Sequence, residues 1–218
     1  MDYNVRLIAM TQPFIEDIST PEELIAYCAR VSNPGNQNNK ETAAKLLKYL
    51  IKNSHWSPLE QVDVTVEIQC ARDIGRQILR HRSFSFQEFS QRYAEAQNFT
   101  WREARIQDVK NRQNSNKIED KELKEYWERL QEDVLITTKS AYSSALQAGI
   151  AKEVARVLLP EGMTMSTMYM KGSLRSWIHY CDLRMGNGTQ LEHKLIAESC
   201  WQLIVAEFPS LVEILQND

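Results

Sequence analysis

The densest group of chemically useful side chains lies between residues 80 and 93. This segment reads RHRSFSFQEFSQRY and contains three arginines, one histidine and three serines. Arginine guanidinium groups form paired hydrogen bonds to phosphate oxygens, and serine hydroxyls add short donors to the same oxygens. Three phenylalanines, at positions 84, 86 and 89, are spaced to bury one side of the segment. These residue types suit a phosphate-bearing ligand.

Composition alone leaves two other interpretations of residues 80–93 open. The segment also fits a solvated basic turn anchored by aromatic rings, or a platform that binds single-stranded nucleic acid. The chain has a formal net charge of −3, yet residues 72–112 hold nine basic and five acidic residues. A basic segment in an acidic protein indicates that an anion binds locally and not over a whole surface.

Length and composition exclude several classes of protein. The 218 residues, 43% hydrophobic and 25% charged, are typical of one folded domain. No apolar run approaches the roughly 20 residues that span a bilayer, and the N-terminus lacks a secretory signal. Four scattered cysteines without CxxC spacing indicate reduced thiols of a cytoplasmic protein and no metal site. Seven glycines, with neither GxGxxG nor GxxxxGK[ST], argue against a Rossmann or P-loop nucleotide site.

The elements that must position residues 80–93 follow from hydrophobic periodicity. Residues 62–70 alternate strictly between apolar and polar side chains, which predicts a strand covered on one face. Apolar positions recur every three or four residues from about 119 to 148, which predicts one long helix. Other patterns predict strands at 3–11 and 163–170, a long loop at 98–118, and helices at 20–32, 39–53, 72–82, 173–184, 190–207 and 209–216. The prediction is a single α+β domain, 1–218, with a small mixed or antiparallel sheet packed by several helices.

The sequence also resembles a known family. Arg80-His81-Arg82-x-x-Ser85-x-x-x-x-Ser90-x-Arg92 matches all six fixed positions of the RHRxxSxxxxSxR signature of flavin-dependent thymidylate synthases. The resemblance covers roughly residues 29–192 in family order. Its further matches are Ala29-Arg30-Val31-Ser32, His55-x-Ser57-Pro58-x-Glu60, Arg76-Gln77, Glu153 to Pro160, Ser173 to His179, Leu183-Arg184 and Gln190-x-Glu192.

The resemblance implies a specific reaction. Family members convert deoxyuridylate (dUMP) to thymidylate (dTMP) with methylenetetrahydrofolate as carbon donor and FAD, reduced by NADPH, as reductant, so that folate leaves as tetrahydrofolate. The role would be DNA-precursor biosynthesis in the cytoplasm. The family resemblance further implies a homotetramer whose active sites are shared between subunits. Neither nucleic acid nor a membrane is an expected partner. FAD in this family uses no Rossmann site, in agreement with the few glycines.

Site roles are implied at the matching positions. The expected dUMP site consists of Gln77, Arg80, Glu88, Ser90, Gln91, Arg92, Arg156 and Arg184. Arg92, Arg156 and Ser90 are expected to hold the phosphate. Arg184 is the expected catalytic residue, because a fixed positive charge beside nitrogen 3 of the uracil stabilises negative charge that develops on the ring.

The expected FAD site is larger. It consists of Ser32, Ser57, Arg80, His81, Arg82, Glu88, Ser173, Leu174, Arg175 and His179, with His55 near the flavin and the folate. Without the resemblance, His179 would be interpreted as a core histidine, Glu60 as a cap residue and Arg156 as part of a helix ion pair. His193 is assigned no role. No cysteine lies in the matched motifs, so no thiol nucleophile is expected.

Overall fold

The computed structural model describes residues 2–215 as a small antiparallel sheet surrounded by helices. The helices and strands follow one another along the chain in this order: β1 (Asn4–Met10), α1 (Pro21–Ala29), α2 (Ala43–Lys52), β2 (Asp63–Ala71), α3 (Arg72–Ile78), β3 (Ser85–Glu88), β4 (Arg105–Gln107), β5 (Ser115–Lys117), α4 (Lys121–Gln147), α5 (Lys152–Ala155), β6 (Met165–Ser173), α6 (Leu174–Met185) and α7 (Leu191–Glu207).

The main sheet has four strands in the order β1-β2-β6-β3. Each neighbouring pair is antiparallel. β2 and β6 pair along their whole length, from Asp63 opposite Ser173 to Ala71 opposite Met165. β3 pairs with β6, which places the middle of the segment 80–93 at one edge of the sheet. The predicted α+β class with a small antiparallel sheet is confirmed.

The strict alternation in residues 62–70 produces the central strand of the core. The apolar members of this alternation, Val62, Val64, Val66, Ile68 and Cys70, are at most 1% exposed. They pack in one cluster with Trp177 and Tyr180 of α6 and with Ile196 and Cys200 of α7. Burial of apolar surface on this scale is the main source of stability of the fold. The helices on this face therefore support β2 and β6. Residues 80–93, called the signature segment below, contain β3, which lies beside β6 in the same sheet.

Local capping fixes where two of the helices begin. Thr20 and Glu23 form the predicted capping box of α1, with Pro21 at its first position. Ser173, the last residue of β6, caps α6 because its hydroxyl accepts a hydrogen bond from the backbone N–H of Ser176 at 3.3 Å. Ser173 and Arg175 thus lie at a defined strand-to-helix junction.

The long helix α4 confirms the prediction for residues 119–148. It spans 27 residues and is capped by Asp120, whose carboxylate accepts from the N–H of Leu123. Trp127 Nε1 donates to the carbonyl of Arg102 at 2.7 Å, and Gln131 bonds both the N–H and the carbonyl of the same residue. These bonds fasten α4 to the chain that follows the signature segment.

The prediction of a long loop at 98–118 is wrong in part. Residues 105–107 and 115–117 form the β4-β5 hairpin. Its turn is built by Asp108, whose side chain accepts from the N–H groups of Lys110 and Asn111 at 2.7 and 2.9 Å. Three-residue strands with mostly exposed side chains carry too little alternation to be recognised from sequence.

Other predicted boundaries also shift. The helix predicted at 72–82 ends at Ile78, since the chain must turn for β3 to reach β6. The strand predicted at 163–170 runs from Met165 to Ser173. The helix predicted at 209–216 is a short 3-10 turn, Pro209–Leu211, and residue 216 lies outside the described residues. Here Ser210 bonds the Glu22 carboxylate through both its N–H and its hydroxyl, which favours the tight turn.

Gly172 is needed for the close approach of the signature segment to β6. A Cβ at this position would lie 2.5 Å and 2.7 Å from two ring atoms of Phe84, which itself packs edge-on against Trp177. We expect Gly172→Ala to lower the free energy of unfolding by about 1–3 kcal/mol, because the buried ring cannot move without strain. Urea unfolding of the purified variant measures this difference.

Gly35→Ala is the matched control for Gly172→Ala. No atom lies within 4 Å of a Cβ at position 35. Its unfolding midpoint should stay unchanged or rise slightly, since alanine restricts the unfolded chain. Equal midpoints for the two variants would contradict the close packing of Phe84 on Gly172.

Candidate active site

An arginine-lined cleft of about 600 Å³ opens beside the signature segment. Arg72 and Arg76 reach it from α3, Gln91 from the chain after β3, and Glu153 and Arg156 from the α5 region. The cleft is thus assembled from three separate parts of the sequence. Three guanidinium groups around one space are suited to an anionic, phosphate-bearing ligand.

Glu88 organises the wall of this cleft. Its carboxylate lies 3.4 Å from Arg72 and 3.3 Å from Arg76, and it accepts a hydrogen bond from the Ser166 hydroxyl at 3.0 Å. Arg72 is 7% exposed, and a buried guanidinium requires such a partner. Glu88 is predicted to contact both ligands. In the structure its carboxylate also orients two arginines, Arg72 and Arg76.

Arg92 and Arg156 both contact Glu153. Arg92 Nε lies 3.3 Å from the Glu153 carboxylate, and Arg156 Nε donates to the Glu153 carbonyl at 3.2 Å. The Ser90 hydroxyl accepts from the N–H of Arg92 at 3.3 Å. Two of the three predicted phosphate ligands, Arg92 and Arg156, therefore meet at one residue, while Ser90 is joined only to Arg92 by a local bond. Arg92 is exposed, so its ion pair with Glu153 costs little to exchange for another anion.

Gln91 has an unsatisfied polar atom at the cleft. The residue is 4% exposed and lines the cleft, yet its Nε2 has no hydrogen-bond partner among the described residues. Leaving a buried N–H group without a partner costs about 1–3 kcal/mol. A ligand oxygen that reached Nε2 would remove that cost, and the contact of Gln91 with the nucleotide stays a prediction.

Arg184 and His81 form a second cluster. Arg184 Nε donates to His81 Nε2 at 2.9 Å, so this imidazole must be neutral with its proton on Nδ1. Burial, together with Arg184 and Arg80, lowers the pKa of His81 to about 4. The His81 ring also packs edge-on against Tyr180, with centroids 4.9 Å apart. A predicted catalytic residue and a predicted flavin ligand are therefore in direct contact.

The same cluster extends to Gln77 through a histidine that the sequence analysis left without a role. His193 is fully buried, and its ring nitrogens lie 3.3 Å from Gln77 Oε1 and 3.1 Å from the Tyr180 hydroxyl. Burial, Arg184 and His81 lower the pKa of His193 to about 3. Two neutral histidines thus flank Arg184.

Because the pKa values of these two histidines are lowered, we expect acid to lower the free energy of unfolding. As the pH falls below 6.5 the unfolded chain takes up protons at both histidines, but folded His81 does so only near pH 4 and His193 near pH 3. The unfolded state therefore binds more protons, and the free energy of unfolding should fall as pH drops through this window. Urea unfolding at about pH 7.5 and about pH 5, at fixed protein concentration, measures the change.

A His193→Asn variant is the control for this pH dependence. It lacks the His193 contribution, so its loss of stability between the two pH values should be smaller than that of the wild type. A wild-type free energy of unfolding that does not change with pH would contradict the buried, neutral state of both rings.

The predicted flavin residues at the start of α6 adjoin the 3-10 turn Ser57–Gln61. Arg175 Nη1 donates to the Glu60 carboxylate at 2.7 Å, and the His179 ring lies edge-on to Trp56 at 4.4 Å. The Ser173 hydroxyl and the Arg175 guanidinium lower the pKa of Glu60. Ser173, Arg175 and His179 are therefore brought together beside Ser57.

The remaining predicted flavin residues are not joined to one another by such contacts. Ser32, His55, Ser57, Arg80 and Arg82 are exposed, and none of the contacts above joins them. Leu174 is fully buried in the core, and its N–H donates to the carbonyl of Val62 at 2.8 Å. For these six residues, as for the other residues assigned to FAD, a flavin contact stays a prediction.

Several residues of the site were not assigned from the sequence. Arg72, Glu153, Tyr180, Gln190 and His193 enter it through contacts between distant parts of the chain. Glu153 and Gln190 lie within the matched motifs, so motif membership was a signal. Arg72, Tyr180 and His193 gave no such signal.

Phe84 is buried and offers no stacking face to single-stranded nucleic acid. Its ring is 9% exposed and packs on Trp177 and Tyr180. A base can stack only on an aromatic face that is open to it. The aromatic side chains of residues 80–93 are used only in part as core, because Phe89 and Tyr93 are 37% and 82% exposed.

The described residues 2–215 contain no group of three or more His, Cys, Asp or Glu residues arranged for a metal ion. In that same part of the chain, no helix combines the length and the apolar character that crossing a membrane requires. All four cysteines are free thiols, and burial raises the pKa of Cys70 to about 12.

Comparison with known proteins identifies similar sequences over nearly the whole chain. Residues 13–210 match the family model described as "Thymidylate synthase complementing protein". A protein of Synechocystis sp. named flavin-dependent thymidylate synthase is 48% identical over 217 residues, 98% of this chain and 99% of the relative. A "probable flavin-dependent thymidylate synthase" of Paramecium bursaria Chlorella virus 1 is 48% identical over 213 residues, 97% of this chain and 98% of the relative.

A solved structure has the same fold. The UMP/dUMP methylase PolB from Streptomyces cacaoi, bound to 5-Br dUMP, superposes with a TM-score of 0.82 at 25% sequence identity. The match covers 96% of this chain and 92% of the PolB chain.

Proposed function

The chain belongs to the family of flavin-dependent thymidylate synthases, and we propose that it methylates dUMP to dTMP for DNA-precursor synthesis. The carbon donor is methylenetetrahydrofolate. The observation that carries this proposal is the arginine-lined cleft in which the buried Gln91 Nε2 has no protein partner among the described residues. A nucleotide supplies both the anion and the acceptor oxygens that this cleft needs.

The nucleotide phosphate binds to Arg92, Arg156 and Ser90 in this proposal. The contacts of both Arg92 and Arg156 with Glu153 support it. When the phosphate binds, Arg92 exchanges the Glu153 carboxylate for a more highly charged partner. Gln77, Arg80, Glu88 and Gln91 complete the contacts to dUMP: Gln91 donates its buried N–H, and Glu88 keeps Arg72 and Arg76 in place.

Arg184 stabilises charge on the uracil ring. Its hydrogen bond to neutral His81 fixes the guanidinium without neutralising it, because the partner carries no negative charge. A fixed cation beside nitrogen 3 stabilises the negative charge that develops as the ring becomes nucleophilic. A carboxylate in place of His81 would weaken this effect.

The residues at the start of α6 fit FAD. Arg175, together with the exposed Arg80 and Arg82, offers guanidinium groups for the diphosphate, and Ser32, Ser57 and Ser173 offer hydroxyls. The exposed His179 ring beside Trp56 offers an aromatic edge, while His81, Glu88, Leu174 and His55 complete the assignment. When bound and reduced by NADPH, FAD supplies the reducing equivalents, so that folate leaves as tetrahydrofolate. We also propose a cytoplasmic location, which the four free thiols support.

We expect the active protein to be a homotetramer with shared active sites. The exposed apolar side chains of α4 support an interface there: Leu123, Tyr126, Trp127, Leu130, Val134 and Ile136 are 37–60% exposed. An apolar surface of this kind on one helix favours association. Light scattering of the active protein at micromolar concentration should give about four times the chain mass of 25.3 kDa. A monomer mass in an active sample would contradict the shared site.

The visible absorption spectrum tests the proposed function. The purified protein, loaded with FAD, should show the spectrum of an oxidised flavin, which NADPH bleaches and which returns when dUMP and methylenetetrahydrofolate are added without oxygen. A protein that cannot be loaded with FAD would exclude the proposal. So would a reduced flavin that dUMP and methylenetetrahydrofolate do not reoxidise.

A further inference from the structure

Gln77 lies within a chain of side-chain hydrogen bonds that joins four parts of the fold. This series of hydrogen bonds runs from α6 through α7 and α3 to the β4 strand. Its members, in order, are Tyr180, His193, Gln77, Gln190, Glu192 and Arg105. Each step is a single contact, so the direction of one bond fixes the direction of the next.

Glu192 sets the direction of this chain. It is 5% exposed and pairs with Arg105. Burial opposes its ionisation, but hydrogen bonds from Arg105 and its own backbone outweigh that effect and lower its pKa. An ionised carboxylate only accepts hydrogen bonds. Gln190 must therefore direct its Nε2 toward Glu192, at 2.9 Å, and its Oε1 toward Gln77.

The orientation of Gln77 follows from that of Gln190. Because Gln190 presents its carbonyl oxygen, Gln77 must donate from Nε2, at 2.7 Å. Gln77 Oε1 then faces His193 Nδ1 at 3.3 Å. An amide oxygen cannot donate, so His193 must carry its proton on Nδ1.

The last bond completes the assignment. A neutral imidazole protonated on Nδ1 accepts at Nε2, and the Tyr180 hydroxyl lies 3.1 Å from that atom. The low pKa of His193 and its complete burial keep the ring neutral. All five bonds thus run consistently, with each donor matched to an acceptor.

We propose that His193 is a positioning residue that fixes the carboxamide orientation of Gln77 in the nucleotide site. The inference rests on the proposed function, in which Gln77 contacts dUMP. A carboxamide can rotate by 180° and exchange its donor and acceptor edges. His193 and Gln190 hold one edge each, so the lone pair and the N–H that remain on Gln77 have fixed places. The nucleotide therefore binds to a single arrangement of one donor and one acceptor on Gln77.

A double-mutant cycle tests this role on the FAD-loaded protein. We expect His193→Leu and Gln77→Met each to weaken dUMP binding about 3- to 10-fold in titration calorimetry, the effect of one hydrogen bond. If His193 acts through Gln77, the double variant should bind as weakly as Gln77→Met and no more weakly. Losses that multiply in the double variant would show a general structural role and overturn the inference.

His193→Asn provides the rescue experiment. The asparagine amide nitrogen takes the place of Nδ1 as donor to Gln77, so this variant should recover most of the affinity that His193→Leu loses. Equal affinities of the asparagine and leucine variants would overturn the inference. A wild-type protein that does not bind dUMP would overturn the proposed function as well, whereas a wild type that binds with independent losses overturns the inference alone.

The tautomer of His193 can be measured without any substitution at that position. The chain has four histidines, so nitrogen NMR of histidine-labelled protein resolves few rings. The expected result is a neutral His193 protonated on Nδ1 at neutral pH. A neutral ring protonated on Nε2 would have no proton on Nδ1 to donate to Gln77 Oε1 and would overturn the inference even if the His193 variants failed to fold.

Discussion

Arg184→Ala should lower kcat for dTMP formation about 10²- to 10³-fold at saturating dUMP, the usual cost of losing a group aimed at developing charge. The charge on the uracil grows only as the ring becomes nucleophilic, so the loss falls on kcat and not on KM alone. Steady-state kinetics with flavin occupancy measured in parallel give the required numbers.

Two observations control the Arg184 prediction. Arg184→Lys should restore only part of kcat, since a point charge on a flexible stem does not reproduce the planar guanidinium. The flavin should stay bound in both variants, because the His81 ring is also packed against Tyr180, at 4.9 Å between centroids, and this contact does not involve Arg184. An Arg184→Ala protein that changes only in KM, or that loses its flavin, would show that Arg184 has a different role.

Arg92→Ala should chiefly raise KM for dUMP, by about 10- to 150-fold, the cost of one charge-assisted hydrogen bond. A phosphate contact is equally strong in the ground state and the transition state, so kcat should change little. Steady-state kinetics over a range of dUMP concentrations separate the two constants.

Glu153→Gln is the matched variant for Arg92→Ala. In the structure the Glu153 carboxylate lies 3.3 Å from Arg92 Nε and competes with the phosphate for it. Removing this negative charge should lower KM for dUMP or leave it unchanged, the opposite of the change in Arg92→Ala. A raised KM in Glu153→Gln, or a kcat effect in Arg92→Ala larger than its KM effect, would contradict the assignment of Arg92 to the phosphate.

Elements with a strong local signal could be predicted from the sequence. The alternation of residues 62–70 and the periodicity of residues 119–148 correspond to β2 and α4. The capping box at Thr20 forms as expected. In each case the pattern lies within one element, and burial of its apolar face requires no knowledge of the partner.

The site itself depends on contacts that no local pattern reveals. Glu88 meets Arg72 and Ser166 only because β3 pairs with β6. His193 reaches Gln77 across 116 positions of the chain. The family signature indicated the chemistry of residues 80–92, but the residues that orient them come from α3, α6 and α7, whose packing is set by tertiary structure.

The central claim is that this protein transfers a methyl group with flavin as the reductant. It is tested most directly by incubating the FAD-loaded protein with dUMP, methylenetetrahydrofolate and NADPH without oxygen, then identifying both products. The account predicts dTMP and tetrahydrofolate in equal amounts, with none formed when FAD or NADPH is omitted. Formation of dihydrofolate in place of tetrahydrofolate, or of dTMP without flavin, would contradict it.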